Sequence, residues 1–382
     1  MNNMHVVIAG AGLGGLCLAQ GLKKNGISFE VFEKDPARNS RTQGYRIRID
    51  RTGQQALQHC LPESLYTLFK ETCALPSAGV RTLDTQLEKR KDKWIDAWED
   101  GQSEELADLK ADRMRMRELL LSGIEEHVHF DRRITGYKER EDGRICALFA
   151  DGSTTLSDVL IAADGAYSKL REQRFPGTGP VDTGNICIYG KTFPEGGAMQ
   201  YIASELQTGT TAIFGTGLAI IIDAMRFSDN NMRDYIYWAM IGSRDQFGLK
   251  EIPHLQLASA RLQECIGNLT TPWSPALQSL FALADPEAIA VVPVRTSIAR
   301  EPWKASRVTA LGDAVHTMSP AAGLGANSAL YDAGILAEKL AEVIKGESSL
   351  PAAIAAYEHQ MREHSFASIR ASQEGGVTLF GK

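Results

Sequence analysis

The 382-residue sequence predicts an α/β fold in which a Rossmann-like, parallel-sheet domain carries an inserted, mainly antiparallel β-sheet and closes on a C-terminal helix. Three observations carry that prediction. Apolar strands run into glycine turns near the start (His5 to Gly15), the middle (Asp158 to Gly165) and the end (Arg307 to Gly312) of the chain. Residues 177 to about 294 instead hold no glycine-rich phosphate loop, and their strands alternate, as an antiparallel sheet with two unlike faces requires. From Pro351 to about Ser372, Ile354, Ala355, Tyr357, Met361 and Phe366 fall mostly at helical spacing. The expected division is 1–175 and 295–345 for the two parts of the first domain, 176–294 for the insertion and 346–382 for the last helix.

The first strand, His5-Val6-Val7-Ile8-Ala9, is short, apolar and β-branched, as expected of a strand buried on both faces of a parallel sheet. Gly10, Gly12 and Gly15 follow as G-x-G-x-x-G. The first allows the tight turn, the second lets backbone approach a pyrophosphate, and the third lets helix pack on strand. Leu16, Leu18, Ala19 and Leu22 give the helix its apolar side, Gly26 ends it, and Ile27 to Phe32 reads as a second strand closing at Glu33. A lone glycine motif is weak, since such turns also occur without a ligand, but strand, helix and closing acid together point to a dinucleotide site. Glu33 suits an adenosine ribose and would repel a 2′-phosphate, so FAD or NAD fits and NADP fits poorly.

The run Tyr45 to Asp50 alternates, with Tyr45, Ile47 and Ile49 on one face and Arg46, Arg48 and Asp50 on the other. It reads either as an edge strand with a charged outer face or as a strand where one or more of Arg41, Arg46 and Arg48 meets a cofactor or substrate. A helix from Gly53 to His59 leads into an irregular region ending near Gln102. Asp112 is placed to cap a helix from Arg113 to about Glu126, with Met116, Leu119, Leu120 and Ile124 at helical spacing. Arg113 gains nothing from the dipole in that first turn, so either it meets an anionic ligand or it is surface charge. Val128 to Phe130 reads as a strand, and Arg144 to Ala150 with Thr154 to Leu156 as a hairpin turning at Asp151-Gly152. Val159 to Ala163 is a second buried strand ending at Asp164-Gly165, and two such ends in one sheet can face one ligand.

In the insertion, Ile186 to Phe193 and Tyr235 to Ile241 alternate, Thr211 to Met225 reads as a hairpin broken at Gly215-Thr216-Gly217, and Leu255 to Leu269 and Pro275 to Ala284 read as helices. Phe214, Met225, Tyr237 and Trp238 are candidates to line a pocket for a flat substrate; the plain alternative for an aromatic on an alternating strand is core. The first architecture returns with the strand Arg307 to Leu311, the turn Gly312-Asp313, and Gly323 to Asn327 opening a long helix to about Ile344. A carboxylate and a helix N-terminus thus arrive together.

At 43% hydrophobic and 23% charged residues, the composition is that of an ordinary globular protein. The net charge of −6 offers no basic field for nucleic acid, and Lys89-Arg90-Lys91 is interleaved with Glu88 and Asp92, as in a solvated hairpin. The first strand begins within five residues, leaving no signal peptide, and the longest apolar run, Leu218 to Ile222, is far below a membrane span of ~20 residues. A cytoplasmic protein is expected. The six cysteines form no C-x-x-C pair and read as reduced core thiols, and no metal site is expected.

Three separated motifs resemble the single-component FAD-dependent aromatic hydroxylases, the p-hydroxybenzoate hydroxylase-like flavoprotein monooxygenases. They are Gly10-x-Gly12-x-x-Gly15 with Glu33; Asp164-Gly165-Ala166-Tyr167-Ser168 with Arg171; and Gly312-Asp313-Ala314-Val315-His316 through Pro320, Gly323, Gly325 and Asn327. Their order and spacing cover nearly the whole chain. Arg41 to Ile49 and the Asp112-Arg113 helix start resemble the compact members that include the tetracycline-inactivating hydroxylases. Val315 and Leu324 depart from the alanine and glutamine of many relatives, and neither removes a polar group the flavin needs.

The resemblance implies a GR2-type flavoprotein fold. It also implies that Gly10, Gly12, Leu13, Gly14, Gly15, Glu33 and Lys34 hold the ADP half of FAD, with Arg41 and Arg113 against the flavin or its phosphates. Asp164 and Gly165 then act through the pyrophosphate region, Asp313 accepts from ribityl hydroxyls, and Pro320, Gly323, Gly325, Ala326 and Asn327 border the isoalloxazine. The implied activity is NAD(P)H- and O2-dependent hydroxylation of an electron-rich aromatic, enolic or polyketide-like small molecule. Its reagent is a flavin C4a-hydroperoxide, no side chain is catalytic, and NADH or NADPH binds transiently. A monomer or weak homo-oligomer is expected. The alternatives are an FAD halogenase, whose tryptophan-rich motif Lys93 to Trp98 does not match, an FAD oxidase or reductase, and an NAD-binding sensor.

Overall fold

Five parallel strands lie in the order Val308–Ala310, Val159–Ala162, His5–Ala9, Ser28–Phe32 and Val128–His129. The computed structural model describes residues 4–380 apart from 39, 41–44, 77–78, 92–106, 196, 230, 251–256 and 299–302. The registers Ala9↔Phe32, Ala9↔Ala162 and Ala162↔Ala310 bring the carboxyl ends of four strands level. Backbone N–H groups extend the pairing into the turns: Gly10 donates to the Phe32 carbonyl at 2.8 Å, Ala163 to Ala9 at 2.9 Å and Leu311 to Ala162 at 3.0 Å. Gly10, Glu33, Asp164 and Gly312 therefore emerge along one sheet edge, where open α/β sheets bind ligands.

Alternation along His5–Ala9 sorts the core. Val6 and Ile8 pack with the helices Leu13–Lys24, Arg51–Cys60 and Gly325–Ile344, whereas Val7 and Ala9 face the strands Ile134–Glu139, Ile145–Phe149 and Thr154–Ser157. The Asp50 carboxylate caps Arg51–Cys60 by accepting from Gly53 N at 2.9 Å. Asp112 caps the helix Arg113–Leu121, accepting from Met114 N at 2.9 Å and Arg115 N at 3.2 Å. That helix stops short of the expected Glu126, because Ser122 is extended and Gly123 takes φ +75°. The last helix, Leu350–Phe380, runs past the expected Ser372 and lies on Gly325–Ile344 through Ile354, Tyr357 and Met361. No helix among the described residues is long and apolar enough to cross a membrane.

The second sheet has six strands, ordered Ala290–Thr296, Val181–Thr192, Tyr235–Ser243, Leu218–Met225, Thr210–Gly215 and Val80–Asp84. All pairs are antiparallel except the last. The sheet reaches beyond 176–294: Val80–Asp84 joins it from a stretch read as irregular, and Ala290–Thr296 overruns the far limit. One face, with Ile186, Ile188, Trp238 and Met240, packs on the helices Ser259–Thr270 and Pro275–Ala282. Gly190 is needed opposite Trp238, since a Cβ there would stand 2.4 Å from the indole ring. The other face, with Cys187, Tyr189, Tyr237, Ala239 and Ile241, turns toward the first domain. A ribbon of Arg46–Ile49 paired with Leu109–Asp112 bridges the two sheets. All six cysteines are free thiols, five of them buried.

Candidate active site

A cavity of about 600 Å³ runs from the turn after His5–Ala9 to the inward face of the antiparallel sheet. At its near end Gly10 takes φ +114°, and a Cβ on it would lie 2.3 Å from the Ala163 carbonyl oxygen. A Cβ on Gly15 would lie 2.2 Å from the Gly10 oxygen, so helix and turn touch there. Above Gly12 there is open space within 4 Å. No side chain caps the helix Leu13–Lys24, so its first N–H groups are left for a ligand that also fills the space above Gly12. Leu13 and Gly14 line the same wall. The Glu33 carboxylate is buried and accepts from Ala11 N at 2.8 Å and Asp35 N at 3.0 Å. Both oxygens keep a lone pair for a further donor. Lys34 is exposed at the rim.

Arg117, absent from the sequence reading, is buried beneath this turn. Its Nε donates to the Ala11 carbonyl at 2.9 Å and its Nη1 to the Arg38 carbonyl at 2.7 Å. Nothing local separates it from Arg113 and Arg115, and its partners lie far off in sequence.

The second and third turns bring carboxylates to the cavity. Asp164 Oδ2 accepts from Lys169 N at 3.2 Å, while Oδ1 is buried without a hydrogen-bond partner. Burial pushes its carboxyl up, against hydrogen bonding by Ser168 and backbone and the Lys34 charge. Gly165, at φ +81°, lines the cavity beside it. Gly312 takes φ +58°, which turns Asp313 into the cavity, where its side chain is exposed although protein surrounds it. That enclosure pushes its carboxyl up, and His316 and Arg113 pull it back down.

Behind the turn, Asp332 Oδ2 accepts from Gly312 N at 2.8 Å and contacts His316 Nε2 at 2.5 Å, both side chains being buried. Burial works against a charged imidazole, but the charge and hydrogen bond of Asp332, with Asp313, outweigh it and raise the His316 pKa. Arg113 completes the row, its guanidinium 5.3 Å from the centre of the Tyr45 ring. Charges thus alternate from Asp332 through His316 and Asp313 to Arg113.

Pro320, Gly323, Gly325 and Ala326 line the cavity where the helix Gly325–Ile344 begins, again without a side-chain cap. Asn327, expected beside them, stands one layer back. Its Oδ1 accepts from Asp50 N at 3.1 Å and its Nδ2 donates to the carbonyls of Arg48 at 3.0 Å and Gly323 at 3.3 Å. Its amide is used up in bracing the bridging ribbon. Arg41 lies outside the described residues.

Of the four substrate-side candidates, Tyr237 lines the cavity. Trp238, its neighbour, necessarily points to the opposite face, where Nε1 donates to Thr192 Oγ1 at 3.2 Å. Met225 is buried in the layer of Tyr235 and Tyr237 without reaching the cavity, and Phe214 is buried on a strand farther out. The sequence reading missed Cys187, Ile221, Ala239, Ile241 and Val294, which form the apolar wall. The i, i+2 spacing of Tyr237, Ala239 and Ile241 was the available signal.

Strands ending at one dinucleotide-shaped edge, two uncapped helix N-termini and an adjoining apolar wall define a dinucleotide-cofactor α/β protein with a small-molecule chamber. Residues 112–372 match the protein family described as FAD binding domain, and residues 8–51 match an NAD(P)-binding Rossmann-like domain. The chain belongs to the FAD-binding domain family, whose cofactor is FAD. It is similar to a dual O-methyltransferase/FAD-dependent monooxygenase of Cercospora beticola, 34% identical over 407 residues that cover 99% of this chain and 46% of that protein. The chain spans about half the length of the dual relatives it matches, 46% in each of three. A protein of Photorhabdus luminescens assigned as an FAD-containing monooxygenase has a structure with TM-score 0.84 at 29% identity, covering 99% of both chains. A tetracycline destructase shares the fold, with TM-score 0.70 at 16% identity, 100% of this chain and 93% of that one. The cavity fits FAD: Gly12 leaves room where a Cβ would intrude, and Asp164 Oδ1 and Glu33 await hydroxyl donors.

Proposed function

We propose that the chain is an FAD-dependent monooxygenase that uses NAD(P)H and O2 to hydroxylate an electron-rich aromatic or polyketide-like small molecule. One observation carries this reading: a single cavity joins the glycine turn to the apolar face of a second sheet, so cofactor and organic acceptor share one enclosure. The relatives named as FAD-dependent monooxygenases support it. Gly10 to Gly15, Glu33 and Lys34 bind the ADP half, Asp164 and Gly165 flank the pyrophosphate, and Asp313 accepts from the ribityl chain. Arg113 lines the cavity where it would orient the flavin edge or the phosphates, the role the resemblance also gives Arg41.

Bound FAD supplies the oxygen-transfer chemistry, reduced by a transiently bound nicotinamide cofactor. The N-terminus of Gly325–Ile344 favours negative charge at the flavin edge that Pro320, Gly323, Gly325 and Ala326 border. The wall of Cys187, Ile221, Ala239, Ile241 and Val294 excludes water and holds the acceptor carbon in reach. Free, mostly buried thiols fit a cytoplasmic compartment, and we infer a monomer or weak homo-oligomer. The test is a screen for compounds that stimulate NAD(P)H oxidation by the purified holoprotein, followed by mass spectrometry of products made under isotopically labelled O2. A hit that gains one labelled oxygen is expected. Oxidation with peroxide as its sole product across a broad phenol and polyketide panel would contradict hydroxylation.

A further inference from the structure

Arg113 opens the helix Arg113–Leu121 of the first domain and lines the cavity, yet what holds it comes from the antiparallel sheet. Its backbone N donates to the Tyr45 carbonyl at 3.0 Å, and its guanidinium faces the Tyr45 ring. That ring stands edge-on to Tyr189, centroids 5.1 Å apart, and Tyr189 belongs to the strand Val181–Thr192. Two residues along the same strand, Lys191 Nζ donates to Asp112 Oδ2 at 2.7 Å, and Tyr235 Oη on the neighbouring strand donates to the same oxygen at 2.8 Å. Asp112 is the residue before Arg113.

Capping does not require this tie. Asp112 caps the helix through Oδ1 alone, accepting from Met114 N and Arg115 N, and serine or asparagine would cap it as well. Joining two layers does not require it either. The side chains of Lys191 and Asp112 are only 15% and 8% exposed, and desolvating an ammonium and a carboxylate is less favourable than placing two apolar groups there. What the pair of donors does is occupy Oδ2. A carboxylate next to an arginine, with one oxygen unfilled, would draw the guanidinium back onto itself through a charge-assisted hydrogen bond. Arg46, opposite Asp112 in the ribbon, is engaged elsewhere, its Nε 2.6 Å from Asp223 Oδ2. Burial works against the charge of Asp112, but the charge and hydrogen bond of Lys191, with Tyr235 and backbone, outweigh it and hold the carboxyl below its ordinary range. Burial and the Asp112 charge in turn keep the Tyr235 phenol protonated, so it stays a donor. With Oδ2 filled, Arg113 remains turned to the cavity, where its charge reaches Asp313.

We propose that Lys191 and Tyr235 are positioning residues for the cofactor: through Asp112 they hold the first turn of Arg113–Leu121 against the antiparallel sheet and keep the Arg113 guanidinium on the flavin edge or the phosphates. This rests on the reading that Arg113 meets FAD. Tyr235 shares its strand with Tyr237, Ala239 and Ile241 of the chamber wall, so the strand that faces the organic acceptor also sets the grip on the cofactor.

The test is a double-mutant cycle on FAD affinity, read by titrating apoprotein with FAD, with urea unfolding of the same apoproteins alongside. Tyr235→Phe should weaken FAD binding several-fold and Lys191→Met roughly tenfold or more, since each removes a hydrogen bond to a charged group. Asp112→Ser keeps the cap and cuts both contacts, and should lose at least as much as Lys191→Met. In an Arg113→Ala background all three substitutions should change FAD affinity by less than about twofold, while their cost to apoprotein stability persists. Unchanged FAD affinity in the three variants, or the same loss with and without Arg113, would overturn the inference and leave the network as a link between layers. An Arg113→Ala variant that binds FAD as wild type does would overturn it together with the assignment of Arg113 to the cofactor. Failure of the monooxygenase reading looks different, since wild type would then bind FAD and hydroxylate nothing in the screen.

Discussion

Asp313 and His316 share one turn and have different duties. Asp313 faces the cavity, and on the proposed reading removing its carboxylate deletes a charge-assisted acceptor for the cofactor. Asp313→Ala should weaken FAD affinity by ~1.5–3 kcal/mol, read by equilibrium titration of apoprotein, and unchanged affinity would remove Asp313 from the cofactor site. His316 works from behind through Asp332. A raised imidazole pKa adds stability that is complete below the unfolded value of about 6.5 and is lost as pH rises through the folded value. The stability difference between wild type and His316→Gln, from urea unfolding across pH, should therefore shrink as pH rises; a flat difference would mean the pair carries no charge. Glu33 was legible because it closes the strand that follows the glycine turn, and Asp313 because it follows Gly312 at the end of a strand. Asp332 was not, although a lone acid among Leu330, Ala333, Gly334 and Leu336 is a signal of a buried charge. Arg117 was hidden because its partners are backbone carbonyls far away in sequence.

The strand, turn and helix from His5 to Lys24 were readable because each glycine has a separate geometric task. Gly15 is filled by contact with Gly10, whereas Gly12 faces open space. Gly15→Ala should therefore lower the melting temperature of apoprotein, and Gly12→Ala should leave it nearly unchanged while weakening FAD binding. Equal melting losses in both variants would mean that the space above Gly12 is not a ligand cradle. Other elements were misjudged for local reasons. Arg113–Leu121 loses its last expected turn at Gly123, which has the left-handed φ that stops helices. Ile134–Glu139 was missed because Gly136 interrupts its alternation, and a Cβ there would stand 2.9 Å from Gln173 Oε1, so that side chain would have to shift. Tyr237 and Trp238 could not be separated by composition, since adjacent strand residues face opposite ways and only the partner layers decide which face meets the cavity.

The way the two sheets meet was partly legible. Glycine turns returning after residue 307 announced a domain interrupted by an insertion, but the edge strand Val80–Asp84 was not foreseen, because its partner Thr210–Gly215 lies far along the chain. In the proposed reading the cavity between the sheets puts the cofactor rather than a side chain at the chemistry. Cys187 is the cavity's thiol, so Cys187→Ser should leave coupled product formation within about tenfold. Arg113→Ala should instead raise peroxide released per NAD(P)H consumed, as a loosened site admits water. A Cys187→Ser variant that reduces its flavin normally yet forms no product would place sulfur in the mechanism. The most direct measurement is reconstitution of apoprotein with FAD against FMN, followed by flavin absorbance. Saturable binding of one FAD per chain with markedly weaker FMN binding is the predicted result, because the proposal assigns the adenosine half to the glycine turn and Glu33. Failure to bind flavin, or equal affinity for FMN, would contradict it.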